Sequence, residues 1–186
     1  METSDSPDSS SHTIAHSFAY WASRNSLSSE TSAALLSAAI VLVPHENFGG
    51  QARHVFPVGT TDLFRFLKEQ APDGVGVEIA VEDNDYREVA LNYDVIRLAT
   101  ILVKLVAAPT AVGLLVEYLK SKLGSRFSKS EVEASLIVEQ EGPDSRGVFS
   151  LNYKGPATTF ERTINSDLAK ALGSKDGHQM RQIEKK

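Results

Sequence analysis

His45-Glu46 and His54 form the one histidine–carboxylate grouping between predicted elements of this chain. Imidazole and carboxylate together can ligate a divalent metal or relay a proton, since histidine changes charge near neutral pH. Either chemistry needs a third partner and a formed pocket, and the i, i+9 spacing of the histidines matches no ligand signature. Gly49-Gly50 beside them predicts a mobile surface loop. A plain connection therefore outweighs a functional loop, and His45 and His54 stand as the candidate ligand-binding residues.

Other chemistries fare worse. Glu82-Asp83-Asn84-Asp85 offers carboxylates for a cation, but it lacks the following glycine and the distant bidentate glutamate of a calcium loop. A turn explains it. With no cysteine, thiolate catalysis, disulfides and cysteine-ligated zinc are excluded. No nucleophile elbow and no phosphate-binding glycine loop occurs. The sequence thus predicts no catalytic residue, no metal site and no cofactor, and it leans away from an enzyme.

Two further groups could bind rather than catalyse. Lys120, Lys122, Arg126 and Lys129 could meet phosphates, yet four cations across a helix end and loop usually mark a solvated, dipole-complementing terminus. Aromatic interleaving is confined to Phe127, and the net charge is −5, so nucleic acid is not expected. Ile14, Phe18 and Trp21 recur at i, i+4 and i+7, a helical stripe. Phe18 and Trp21 are the candidate partner-binding residues if that stripe is a tethered interaction helix; the competing reading docks it on the chain's own core.

The elements that must position these groups follow from periodicity. Residues 1–12 hold no Val, Leu, Ile, Phe, Tyr or Trp and no apolar run, which predicts a disordered tail with no secretory signal. Ser28-Ser29-Glu30 starts a helix, and 39–43 reads as a short buried strand stopped by Pro44. Gly59 to Asp62 opens a helix ended by Pro72-Asp73-Gly74. Val75, Val77, Ile79 and Val81 alternate as a strand, with Tyr86 to Leu91 returning as its hairpin partner. The apolar stretch 94–123 reads as a helical pair kinked at Pro109, because its polar stripe changes face there. Residues 131–139 alternate cleanly and Phe149, Leu151 and Tyr153 return, a second hairpin. A last helix opens at Gly155-Pro156 and ends at Gly173, before a polar tail over 174–186.

The fold class expected is α+β: an antiparallel or mixed sheet of about four to five strands, in two β-hairpins, packed against helices on one face, including the Pro-kinked central pair. One domain spans 13–173, with 13–37 readable as a loosely attached helical arm. The run 98–119 approaches the length of a membrane span, but Lys104 near its middle would cost about 2.5–3.5 kcal/mol on insertion, so burial in protein is favoured.

The run Leu98 to Leu119, the hairpin Val132 to Tyr153 and the Tyr153-Lys154-Gly155-Pro156 junction together resemble effector-associated accessory domains of bacterial conflict systems. The resemblance implies a non-catalytic partner of a separate effector and transfers no functional residue. The expectation is a cytoplasmic, non-enzymatic accessory module that docks on another protein, with self-association left open. The alternatives are a protein anchored in the membrane through 98–119, and a small-ligand binder or enzyme using the 45–54 loop.

Overall fold

The alternation at 131–140 builds the strand around which the molecule is organised. In the computed structural model, which describes residues 17–45, 54–90, 95–140 and 147–183 (174–183 by backbone alone), Glu131–Gln140 (β7) pairs over its whole length with Gly147–Pro156 (β8), antiparallel. The expected tail over 1–12 and the Gly49-Gly50 loop lie outside the described residues. On the other side of β7 run two short parallel strands, Ile96–Arg97 (β5) and Thr100–Lys104 (β6). Next come Ile40–Val43 (β1), antiparallel to β6, and Val77–Ile79 (β3), parallel to β1. The result is a mixed, curled six-stranded sheet, an α+β fold. Phe56–Pro57 (β2) and Glu88–Val89 (β4) form a separate parallel pair.

Two expectations are overturned here. Residues 94–107 are not the first half of a helical pair: β5, β6 and a 3-10 turn at 105–107 occupy them. The reason is burial on both faces. Ile101 and Val103 enter one core and Leu102 the other, so the strand reads as a continuous apolar run without period-two alternation. Pro109 kinks nothing; it lies in the first turn of Ala108–Leu123 (α4), where its missing amide is not needed. The first predicted hairpin also fails. Val77–Ile79 pairs in parallel with β1, and Glu88–Val89 pairs with β2, because both find partners far back in the chain.

The main core lies between one face of the sheet and Thr60–Gln70 (α3), α4 and Phe160–Ile183 (α5). Ile40, Leu42, Ile101, Val103, Leu136, Val138, Leu115, Leu119, Phe160 and Ile164 are all 0–1% exposed within it. α5 runs past Gly173, where the sequence places its end. α3 is capped from a distance: Glu88 of β4 accepts the Gly59 and Thr61 amides at 3.0 and 2.9 Å, and the Tyr86 hydroxyl at 2.5 Å. Gly59 itself sits at φ 93°, open to glycine without strain.

Helices also cover the opposite face, which the one-sided expectation omits. Phe18–Ala22 (α1) and Ser29–Ser37 (α2) close a second core with Val41, Val43, Ala80, Leu102 and Ile137. Ser17 and Ser28 cap these helices, each accepting an amide at 3.1 Å. Polar contacts tie the arm down, among them the Arg24 guanidinium on the His54 ring. Glu139 accepts the Phe18 amide at 2.7 Å, Lys104 donates to the Leu36 carbonyl at 3.0 Å, and Glu82 accepts the Ser28 amide at 2.7 Å. The Lys104 ammonium also lies 5.3 Å from the Phe18 ring centre.

Candidate functional site

The second sheet face changes character along its strands. Its upper half is the apolar patch under the arm. Its lower half is polar, and no helix among the described residues covers it. Register explains the composition. With Val132, Ala134, Leu136 and Val138 in the main core, Glu133 and Ser135 must point the other way, and Lys154 and Asn152 of β8 stand opposite them.

Arg97 joins this row through a β-bulge. Arg97 pairs with Glu133 and Ile101 with Leu136, so four steps along β5–β6 oppose three along β7. The extra residue reverses the alternation. Ile96 packs against the main core, as Ile101 and Val103 do five and seven positions on, and Arg97 emerges on the second face. Without the bulge, its guanidinium would be driven into the main core. A row Arg97–Glu133–Lys154 therefore crosses three strands, spanning about 10 Å at ordinary strand spacing.

This row lies on a groove of about 290 Å³, with His45, Thr100, Ser135 and Asn152 also on its walls. Arg97 and Glu133 form an ion pair at 2.8 Å, with both side chains partly exposed. Ser135 donates to the Asn152 carbonyl oxygen at 2.8 Å. Lys154, exposed, has no carboxylate partner among the described residues. The His45 Nε2 and Arg97 Nε are buried without a hydrogen-bond partner among the described residues. Burial, reinforced by the Arg97 charge and only partly countered by Glu133, lowers the His45 pKa from 6.5, so the ring is neutral at pH 7.

The two candidate histidines are not brought into one site. The His45 and Val55 backbones bridge at 2.9 and 3.4 Å, closing the base of the 45–54 segment. His45 turns to the groove, whereas His54 lines a different cleft, with its ring bonded to the Arg24 guanidinium. Phe18 and Trp21, read as partner-binding candidates, are 3% and 1% exposed and form part of the chain's own second core. In this arrangement they fasten the arm. Glu82-Asp83-Asn84-Asp85 is a tight turn in which Glu82 is engaged by Ser28. Among the described residues no group of three or more acidic or histidine side chains could hold a metal ion, and no helix is long and apolar enough to cross a membrane. The run 98–119 is a strand and a helix, with Lys104 at the strand's end.

Lys122, Arg126 and Lys129 do converge, at a cleft between the end of α4 and β5; Lys120 lies outside it. The groove row was partly legible. The clean alternation at 131–139 turns Glu133 and Ser135 outward, but Arg97 falls in the polar stripe of the stretch 94–123 that reads as helix, because the bulge leaves no mark in the periodicity. In comparisons with protein-family models, curated proteins and solved structures, nothing matches this chain.

Proposed function

We propose that this chain is a non-enzymatic accessory module that docks on a partner protein through the polar half of its second sheet face. The observation that carries the reading is the row Arg97–Glu133–Lys154, with Ser135 and Asn152 beside it, which no helix among the described residues covers. These groups form a fixed array on a rigid sheet, offering donors to a partner without a nucleophile–base pair among them. Arg97 is held by Glu133, which orients its remaining donors, and Lys154, without an ion-pair partner among the described residues, adds a second positive charge. The complementary surface is a protein segment rich in carboxylates and carbonyl oxygens. Such a segment would meet local positive charge on a chain whose net charge is −5.

Of the three features behind the likeness to conflict-system accessory domains, the hairpin and the Tyr153–Pro156 junction persist, with the Tyr153 hydroxyl donating to the Pro156 carbonyl at 2.5 Å. The helical pair does not persist. The docking role therefore rests on the polar face, and the placement in a bacterial defence or signalling system rests on that likeness alone.

A photo-crosslinking amino acid at Asn152, compared with one at exposed Ser166 on α5, tests the reading in the native host. The expected result is a discrete protein adduct at 152, weak or absent at 166, and lost with Lys154→Glu. Equal labelling at both positions, or none at 152, would overturn it. Light scattering on the purified chain distinguishes a second copy from a different protein.

A further inference from the structure

We propose that the cleft between the carboxy-terminal end of α4 and β5 is a binding site for a small organic anion with an apolar or aromatic body. It shares Arg97 with the partner-docking face but needs neither Lys154 nor any partner.

Charge is the first argument. The chain carries 24 acidic against 19 basic residues, yet among the described residues four cations and one carboxylate, Glu131, line this cleft. The local sign is opposite to that of the whole molecule. Two of the cations are held in place: Arg97 by Glu133 at 2.8 Å and Lys122 by Asp62 at 2.6 Å. Arg126 and Lys129 are exposed and have no carboxylate partner among the described residues. The fold brings them there for a local reason. Gly124, at φ 51°, ends α4, and the 3-10 turn that follows folds 124–129 back beside the helix end. Negative helix-end carbonyls favour cations at that place, but they do not supply a discrete counter-anion for two side chains that have none among the described residues.

Shape is the second argument. The cleft measures about 500 Å³, within the range of small-molecule sites. Its floor is apolar: Leu63, Ile96, Leu98, Leu119 and the Tyr118 ring lie beneath the cationic rim. Tyr118 is buried, and its hydroxyl donates to the carbonyl of Gly59, also on the cleft wall, at 3.4 Å. A purely inorganic ion would leave the floor unused, and a neutral apolar molecule would leave the rim unused. An amphipathic anion uses both. Two kinds of compound share that chemistry, an acyl carboxylate and a nucleoside phosphate.

The test uses the full chain and the fluorescent anion 8-anilinonaphthalene-1-sulfonate. One saturable site is expected, with native circular dichroism retained. Arg126→Ala/Lys129→Ala should weaken it by about fivefold or more, roughly what the loss of 1 kcal/mol produces. The charge-retaining pair Arg126→Lys/Lys129→Arg should stay within about twofold. Both variants must keep the wild-type dichroism and Trp21 emission. Displacement of the dye by decanoate assigns the acyl carboxylate, and displacement by ATP assigns the nucleoside phosphate. Absence of saturable binding, equal binding to the alanine pair, or displacement by neither competitor at millimolar concentration would overturn the proposal.

Discussion

A neutral histidine beside an arginine is the most exposed commitment at the level of single residues. His45 loses hydration at the groove wall and faces the Arg97 charge, both of which disfavour imidazolium. Its folded pKa is therefore below the ordinary 6.5. A depressed value means that its contribution to stability is present above pH 6.5 and is lost as pH falls through the folded value. Proton NMR of the imidazole, assigned with His45→Gln, should give a midpoint below 6.5; a midpoint at or above that value would contradict the environment described. The stability difference between wild type and His45→Gln should shrink on acidification. A second residue-scale expectation concerns the arm. The Glu139 carboxylate meets the amide at the start of α1. Replacing it with alanine should cost about 1 kcal/mol in urea denaturation, with little change in the sheet's dichroism.

At the scale of elements, β6 decides the architecture. A strand buried on both faces exposes neither neighbour, whereas an amphipathic helix would leave some adjacent positions in water. Ile101 and Leu102 are 1% and 0% exposed and enter different cores. Ile101→Ala and Leu102→Ala should each cost about 3 kcal/mol, read from urea midpoints at constant slope. A large loss at one and a negligible loss at the other would favour the helical reading. This is also where the sequence was hardest to read. β7 and β8 show themselves because one face is wet for much of their length, so polar and apolar residues alternate. α3 shows itself through one apolar face and the proline-glycine stop that follows. β6 hides because a doubly covered strand loses its period. β3 was legible as a strand but not in its pairing, since a parallel partner more than thirty residues upstream leaves no local turn signal. Of the candidate site, the β7–β8 half could be placed from alternation; Arg97 could not, because its direction is set by one inserted residue.

For the molecule as a whole, the sheet is a shared wall between two cores, one large and one closed by the arm. The polar groove exists because the arm covers only the apolar half of the second face. An arm that stood free would expose Val41, Val43, Leu102 and Ile137 together, a contiguous patch that would itself invite association. Trp21 is the chain's single tryptophan, is 1% exposed, and has Arg24 over its ring at 4.9 Å. Its fluorescence therefore reports on the arm alone. In native buffer the emission should be blue-shifted and resistant to acrylamide, and protection should vanish with the far-ultraviolet dichroism in a single urea transition. Emission typical of water, quenched freely while the dichroism remains native, would place the arm off the sheet and contradict the two-core architecture.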